Sequence, residues 1–262
     1  MFDIHYHLLF DVDDGPKTLE QSLALAEASI KEGVTHIVAT PHSNHEFVFN
    51  ADINRERIAV LSEHLKGRLT LGLGCDFHLS YENLEDARRN RAKYTINGKQ
   101  YLLVEFADSS IPATTTDILY GLQLTGVIPI ITHPERNPIL VRNPKRLAEW
   151  IRGGCLVQVT AASLTDRFGK RAKAMSYDLI RKGWAHFVSS DAHSLEGRPP
   201  AMGEAYRILT NEFGQETADR LCVRNPSAAF YGQPLGPQPE PLDLYERTPP
   251  IRRGFLRGIF GR

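Results

Sequence analysis

The sequence predicts an α/β fold built on a mainly parallel sheet, and three observations support this class. Short apolar runs rich in Val, Ile and Leu alternate with longer stretches of helical periodicity along the chain. Seven such runs separated by helices favour parallel pairing of the strands. The 262 residues are 42% hydrophobic and 24% charged, which is typical of a globular protein with one sizeable core. On this pattern alone, a closed barrel and an open doubly wound sheet both remain possible.

The predicted strands each contain four to eight residues and lie near turn signals. They are residues 2–9, 36–40, 69–73, 101–106, 127–132, 156–160 and 186–190. The clearest helix is 19–31, where Thr18 is suited to cap the amino end and Gln21 stands where a capping box needs it. Gly33 is expected to end this helix. The other predicted helices are 53–66, 115–125, 144–152, 170–182 and 201–213.

The composition changes at Gly232, which divides the chain into three predicted parts. Residues 1–231 form the folded domain, and 232–247 form an extended proline-rich linker that we expect to be unpacked. Residues 248–262 form a basic tail in which apolar residues alternate with four arginines, and three glycines weaken any helix there. We expect a disordered tail that docks occasionally. Weak contact with an anionic membrane surface is an alternative, as is contact with an acidic partner.

Charge and cysteine content exclude several classes of protein. The 31 basic and 31 acidic residues cancel, so the chain has no general attraction to nucleic acid and no nucleic-acid partner is expected. Since residues 248–262 carry four arginines and no acid, the rest of the chain has a net charge of −4. The three cysteines are widely spaced, which fits neither a disulfide framework nor a zinc ribbon.

The amino terminus lacks the features of a signal peptide. It carries acids and histidines where a signal peptide has a basic start and a long apolar run. No stretch approaches the ~18 uninterrupted apolar residues of a membrane span. We therefore expect a cytoplasmic protein, and the basic tail leaves open a peripheral position at the inner face of the membrane.

Histidine and carboxylate residues stand on or just after six of the seven predicted strands. They are His5, His7, Asp14, His42, Asp76, Glu105, His133, Asp191 and His193. The carboxyl ends of parallel strands share one face, so these side chains are expected to meet at one rim. So many carboxylates would repel one another without cations, and imidazole with carboxylate suits zinc, manganese or iron more than calcium. Nine candidate ligands exceed the needs of one ion and predict two or three divalent metal ions.

These motifs resemble the polymerase and histidinol phosphatase (PHP) superfamily. They are the His-x-His start, Asp-Asp-Gly-Pro-Lys, Thr-Pro-His, the carboxylate before Phe106, His-Pro-Glu-Arg and Ser-Asp-Ala-His. Residues 162–165 and 197–200 add to a closer resemblance to the bacterial tyrosine-protein phosphatases of capsular and exopolysaccharide loci, the CpsB/YwqE type. The resemblance covers residues 1–231. It implies a distorted (β/α)7 barrel of the PHP type, with the metal site at the carboxyl-terminal rim of the strands.

The resemblance also implies how the candidate ligands divide among three metals. The first metal would take His5, His7, Glu105 and Asp191; the second Asp76, Glu105 and His133; and the third Asp14, His42 and His193. Glu105 would bridge the first two metals. The best-known members typically have glutamate where this chain has Asp76, so the shorter arm would weaken that bond or admit a water. His78 is expected beside the ligands, and the four remaining histidines match no motif.

Two arginines are placed to bind a phosphate group. Arg136 follows His133 by three residues and Arg198 follows His193 by five, and the planar guanidinium suits phosphoryl oxygens. Clustered divalent ions, with manganese favoured, would supply a hydroxide near neutral pH for attack on a phosphate monoester. Phenolate is a good leaving group, so no dedicated general acid is required.

The predicted function is therefore a metal-dependent phosphotyrosine phosphatase. The resemblance implies that its substrate is a polysaccharide co-polymerase tyrosine kinase that controls polymer synthesis and export. The alternatives are another PHP phosphoesterase, acting on histidinol phosphate or a nucleic-acid end, and a catalytically silent metal-binding regulator. A cysteine-based phosphatase is excluded, since none of the three cysteines has the arginine six positions later that such enzymes need.

Overall fold

The computed structural model describes residues 1–244 and confirms the α/β class with parallel strands. This part of the chain contains nine strands: β1 (Phe2–Tyr6), β2 (His36–Ala39), β3 (His42–Ser43), β4 (Thr70–Leu73), β5 (Asp76–His78), β6 (Tyr101–Glu105), β7 (Ile128–Thr132), β8 (Leu156–Thr160) and β9 (Phe187–Ser189). Seven of them correspond to the predicted strands. The additional strands are β3, which follows β2 after two residues, and β5, which follows β4 after two residues.

The strands form two sheets, in the orders β1-β2-β4 and β3-β5-β6-β7-β8-β9. The chain passes from the first sheet to the second at Thr40–Pro41 and again at Gly74–Cys75. Proline has no N–H to donate to a ladder, which interrupts the pairing at Pro41. β3 and β5 then continue beyond the breaks, so they carry His42 and Asp76 to the carboxyl ends of the strands.

The barrel expected from the resemblance is not closed by a continuous ladder. β1 and the chain after β9 meet at one isolated bridge, between Tyr6 and Ala192. The Asp191 N–H donates to the His5 carbonyl at 2.9 Å, and the His7 N–H donates to the Ala192 carbonyl at 3.0 Å. β9 has only three residues, and the backbone then turns at Asp191 (φ 53°), so the pairing does not extend further.

The helices surround the strands: α1 (Leu19–Lys31), α2 (Ala51–Leu65), α3 (Tyr81–Arg89), α4 (Thr115–Leu124), α5 (Pro138–Arg142), α6 (Pro144–Arg152), α7 (Gly169–Arg181), α8 (Met202–Phe213), α9 (Gln215–Asp219) and α10 (Asn225–Tyr231). A π-helical turn, Arg220–Arg224, joins α9 to α10. Single 3₁₀ turns occupy Arg91–Lys93, Ile96–Gly98 and Ala161–Leu164.

The six predicted helices are present, and three elements were missed. At α1, Thr18 accepts from the Gln21 N–H as predicted, whereas the Gln21 side chain accepts from the Lys17 N–H instead of completing a capping box. The missed helices are α3, α5 and the stretch from α9 to α10. Helix α3 is mostly polar and charged, so its sequence has no clear apolar period, and α5 has only five residues. In the stretch from α9 to α10, Pro226 at the start of α10 interrupts the helical pattern of the sequence.

The proline-rich segment lies against the domain over the residues that the structure describes. It forms no helix or strand between Gly232 and Leu244, as its composition predicts. However, the Trp184 indole N–H donates to the Leu242 carbonyl at 2.9 Å, and Arg152 donates to the carbonyl of the buried Leu244 at 2.7 Å. The expectation of an unpacked linker therefore does not hold for these residues. The predicted tail, 248–262, lies outside the described residues. Within residues 1–244, no helix has the length and apolar character needed to cross a bilayer.

Candidate metal centre

Histidine and carboxylate side chains meet at the carboxyl ends of the strands. His5 lies on β1, and His7 and Asp14 follow it, while His42 and Asp76 lie on β3 and β5. Glu105 ends β6, His133 follows β7, and Asp191 and His193 follow β9. All nine predicted ligand residues thus come to one rim.

One group at this rim comprises His7, Asp14, His42 and His193, whose ligand atoms all lie within 4.8 Å of one another. Asp14 Oδ1 is 3.4 Å from His42 Nε2 and 3.2 Å from His193 Nε2. This group contains the three residues that the resemblance assigns to the third metal. His7 is an addition, which the resemblance placed at the first metal.

Two further groups share Asp76. His5, His7 and Asp76 form one, and His42, Asp76 and Glu105 form the other. Asp76 Oδ2 lies 3.4 Å from His5 Nε2 and 3.3 Å from His42 Nδ1. Geometrically, Asp76 stands between the groups, in the position that the resemblance gave to Glu105. Despite its shorter arm, Asp76 reaches both histidines.

The remaining two predicted ligands, Asp191 and His133, stand at the edges of these groups. Asp191 Oδ1 lies 3.3 Å from His5 Nε2 and 3.4 Å from His7 Nε2. His133 Nε2 lies 3.6 Å from Glu105 Oε1. Glu105 therefore neighbours His42 and His133, and it does not group with His5 and His7 as expected.

The chemistry of these residues fits divalent transition metals. Several of their atoms are buried and have no hydrogen-bond partner among the described residues: Nε2 of His5, His7 and His193, Nδ1 of His42, and both carboxylate oxygens of Asp76. An unsatisfied buried polar group costs about 1–3 kcal/mol, so an unpaired set of this size calls for a partner. Imidazole nitrogen and carboxylate oxygen are ligands that manganese, iron and zinc accept.

Neighbouring polar groups orient three of the histidines. His7 Nδ1 lies 2.7 Å from Asp13 Oδ2, and His5 Nδ1 lies 3.0 Å from Gln158 Oε1. His193 Nδ1 lies 2.9 Å from the carbonyl oxygen of Asp191. When the Nδ1–H of each ring donates to these oxygens, Nε2 is left as the free lone pair for a metal.

The orienting roles of Asp13 and Gln158 were missed in the sequence. Asp13 also accepts from the Gly15 N–H at 2.9 Å and the His42 N–H at 3.2 Å, so it ties three segments of the rim together. In the sequence, Asp13 is not distinguishable from its neighbour Asp14. Gln158 did give a signal, because an amide in the apolar run Leu156–Thr160 must find a partner when it is buried.

The pKa values of the rim residues are shifted in opposite directions. Burial by itself would lower the pKa of His5, but the charges of Asp76 and Asp191 raise it to about 9. Burial opposes the charge of Asp191, yet His5 and Arg136 hold its pKa well below the usual range. Burial and the nearby His7 lower the pKa of His193 to about 4. Asp191 thus stays ionised and requires a cation beside it, either a protonated histidine or a metal ion, whereas burial raises the pKa of Glu105.

The backbone at two predicted ligands lies in the left-handed region. His133 has φ 32° and Asp191 has φ 53°, which non-glycine residues adopt at a cost of about 1–3 kcal/mol. Main-chain hydrogen bonds hold both, since the His133 N–H donates to the Gln158 carbonyl and the Asp191 N–H to the His5 carbonyl. Such strain at the ends of two strands is typical of a functional site.

Both predicted arginines reach the rim. The Arg136 guanidinium contacts the Asp191 carboxylate and lies 4.4 Å from the centre of the Phe168 ring. Arg198 Nη2 lies 3.0 Å from Asp14 Oδ2, and its Nη1 lies 3.4 Å from Asp191 Oδ2. The two guanidinium groups therefore converge on Asp191 from different loops.

A cleft of about 580 Å³ opens onto this rim. Glu105, His133 and Arg136 line its inner end. Its walls include four apolar residues, namely Phe106, Pro138, Val141 and Phe168. A cleft with apolar and positively charged walls beside a centre of histidines and carboxylates suits a ligand that joins a ring to an anionic group.

The remaining histidines and the cysteines lie outside the groups. His45 and His78 line the cleft, His36 stacks on Phe2 at 4.0 Å, His64 approaches the Val60 carbonyl, and His186 is buried. All three cysteines are buried. Burial raises the pKa of the Cys155 thiol to about 12 and that of the Cys75 thiol well above its usual range. Neither thiol is poised to act as a nucleophile, in agreement with the sequence prediction.

Comparison with known proteins gives the family. Residues 1–231 match the model of the family described as capsular polysaccharide synthesis, CpsB/CapC. The tyrosine-protein phosphatase YwqE of Bacillus subtilis is 34% identical over 264 residues, or 99% of this chain and 100% of YwqE. The tyrosine-protein phosphatase CpsB of Streptococcus pneumoniae is 32% identical over 242 residues, or 89% of this chain and 99% of CpsB.

Solved structures agree with the sequence matches. A crystal structure from work on YwqE of Bacillus subtilis and CpsB of Streptococcus pneumoniae, described as metal-dependent tyrosine phosphatases, matches with a TM-score of 0.85. It is 33% identical, and the match covers 92% of this chain and 98% of the other. A phosphotriesterase homology protein of Escherichia coli matches with a TM-score of 0.58 and 13% identity. The match covers 87% of this chain and 98% of the other, and it shows a shared fold alone. The protein belongs to the CpsB/CapC family, as its sequence motifs predicted.

Proposed function

We propose that this protein is a metal-dependent protein-tyrosine phosphatase that hydrolyses phosphotyrosine in protein substrates. The observation that carries the proposal is the rim of nine histidines and carboxylates, with buried unpaired ligand atoms, that opens into a cleft lined by arginines and apolar residues. The activity named for YwqE and CpsB supports it, as does the close likeness of the structures.

The rim residues would hold the metals in three overlapping groups. One group comprises His7, Asp14, His42 and His193, and Asp76 stands between the other two. When bound, divalent ions supply a hydroxide nucleophile near neutral pH and neutralise the charge that develops on the phosphoryl oxygens. We propose two or three ions, and we favour manganese over iron or zinc.

Arg136 and Arg198 would bind and orient the phosphoryl group. Their guanidinium groups flank Asp191 and can donate paired hydrogen bonds to phosphoryl oxygens. The apolar walls, with Phe168 and Val141, would receive the phenyl ring and shield it from water. Tyrosine leaves as a phenolate, whose pKa of about 10 makes it a good leaving group, so the chain needs no dedicated acid.

The protein substrate would be a bacterial tyrosine kinase that regulates capsular or exopolysaccharide synthesis, acting as a polysaccharide co-polymerase. The family description, capsular polysaccharide synthesis, supports this choice. We place the reaction in the cytoplasm, with residues 1–231 as the catalytic domain, 232–247 as a linker and 248–262 as a tail that docks only occasionally, for which weak contact with the inner membrane surface is the alternative. Deleting 248–262 should reduce binding to anionic vesicles, and unchanged binding would refute the role of the tail.

The proposed function is tested with three substrates. The purified protein is incubated with a phosphotyrosine peptide, histidinol phosphate or an oligonucleotide, with manganese or with chelator. We expect manganese-dependent release of phosphate from the peptide, and none from the double variant His7→Ala, Glu105→Ala. Activity that survives in that variant would refute the rim mechanism. Preference for either other substrate would favour a different phosphoesterase, and inactivity with every metal would favour a regulator.

A further inference from the structure

Two arginines at the cleft have no role in binding a single phosphate. Arg142, at the end of α5, and Arg171, in the first turn of α7, line the same cleft as Arg136. Both side chains are exposed, and neither forms a hydrogen bond or ion pair with the part of the chain that the structure describes. Arg136, by contrast, is mostly buried and contacts Asp191.

Free arginines also occur elsewhere on the described surface, so what distinguishes Arg142 and Arg171 is their position at the cleft. Some exposed arginines are held by acidic neighbours, as Arg68 is by Glu27 and Arg224 by Glu216. Others, such as Arg207, form no ion pair in the described part of the chain but lie away from the cleft. The cleft contains few acidic side chains that could pair with Arg142 and Arg171. Its acidic lining residues are Glu105 and Glu135, which belong to the inner end, and the exposed Asp108. Glu135 is buried, and its Oε1 accepts from the Thr160 N–H and the Ser163 hydroxyl.

We infer that Arg142 and Arg171 bind a second anionic group of the substrate, a carboxylate or a further phosphate close to the phosphotyrosine on the same peptide. The inference rests on the proposed function, since it assumes that a phosphotyrosine enters the cleft. The phosphate of the phosphotyrosine would be bound by Arg136, Arg198 and the metal ions at the rim. Arg142 and Arg171 are therefore available to bind other groups of the substrate. The protein would thus select acidic segments around its target tyrosine.

The size of the effect follows from the exposure of the two side chains. A single solvent-exposed ion pair contributes up to about a five-fold change in an equilibrium constant. The effect should shrink as salt is raised, because exposed charges are screened over about 10 Å at 0.1 M ionic strength. A preference carried by both arginines should therefore be largest at low salt.

The test compares three peptides of equal length with manganese-loaded protein. One has neutral residues beside a single phosphotyrosine, one has glutamates there, and one has a second phosphotyrosine. We expect the ratio of kcat/KM for each acidic peptide to that for the neutral peptide to fall about five-fold or more in Arg142→Ala, Arg171→Ala. The acidic peptide with the larger fall identifies carboxylate or phosphate as the preferred group.

Two further variants keep the result interpretable. Arg207→Ala removes an exposed arginine of α8 that does not line the cleft, and it should leave the ratio as in the unsubstituted protein. Arg171→Glu should shift the preference toward a peptide with lysines in place of glutamates. An unchanged ratio in the double variant, or an equal fall with Arg207→Ala, would overturn the inference. Failure of the unsubstituted protein to hydrolyse any of the three phosphotyrosine peptides would overturn the proposed function itself.

Discussion

Gln158 offers a direct test of whether His5 is held as a metal ligand. Its side chain is fully buried on β8, and Oε1 lies 3.0 Å from His5 Nδ1. The replacement Gln158→Leu keeps a similar volume but removes the acceptor. The His5 Nδ1–H is then left buried without a partner, and the ring is free to rotate away from the rim.

The expected loss appears in two quantities. Leaving one buried donor unsatisfied should lower the free energy of unfolding by about 1–3 kcal/mol. Removing the partner of a metal-binding histidine typically weakens metal affinity about 10–100-fold, which corresponds to roughly 1.4–2.7 kcal/mol. Gln158→Glu should retain affinity within a few-fold, because a carboxylate oxygen can accept the same hydrogen.

The assay is calorimetric titration of manganese into metal-free protein, together with urea unfolding in chelator. Asn225→Leu is the matched control, since Asn225 is a buried amide on α10 that donates to the His186 carbonyl at 2.8 Å, before the amino end of β9. It should lose stability but keep manganese affinity. If Gln158→Leu is destabilised like the control and still binds manganese as tightly as the unsubstituted protein, His5 is not oriented by Gln158.

Three other predictions follow from the site and the core. Arg136→Ala should lower kcat/KM for a phosphotyrosine peptide by about 10–100-fold because a charged hydrogen-bond donor to the phosphate is lost. Arg136→Lys should recover only part of this activity, since an ammonium cannot form paired hydrogen bonds. Unchanged activity of the alanine variant would contradict a role of Arg136 in binding phosphate. Chelation should lower Tm and added manganese should restore it, because an ion at about 100 times its Kd contributes about 2.7 kcal/mol; identical melting curves would contradict metal binding at the rim. Burial and nearby Arg220 lower the pKa of His186 to about 4, so between pH 6.5 and 4 the unfolded chain binds a proton that the folded protein does not, and stability falls as pH falls. His186→Gln should remove roughly 3 kcal/mol of this pH dependence, measured by urea unfolding in chelator at several pH values, and an unaltered dependence would show that His186 is not its source.

The strands and helices with strong apolar periods were predictable from the sequence. The strand at 156–160 and the helix at 19–31 agree with the structure at both ends. The division of the second and third predicted strands was not predictable, although Pro41 marks one break. A strand of two residues such as β3 exists only because β5 lies beside it, and that pairing joins residues more than 30 positions apart.

The membership of the rim was predictable, whereas its internal grouping was not. Side chains that follow parallel strands must share one end of the fold, which brought all nine candidates together. Which nitrogen meets which oxygen depends on rotamers and on small differences in strand length. The short strand β5 carries Asp76 to a point between His5 and His42, and this position could not be inferred from its place in the sequence.

Gln158 also links the orientation of the ligands to the strain in the backbone. Its side chain faces His5, while its main-chain carbonyl accepts from the N–H of His133, whose backbone lies in the left-handed region. One residue of β8 therefore supports two predicted ligands, one on β1 and one after β7, although it is not among the predicted ligands itself. Because the leucine replacement leaves the carbonyl in place, it should release His5 and keep His133 where it is. A loss in manganese affinity well beyond 100-fold would mean that the backbone at His133 had also relaxed, and that the two forms of support are coupled.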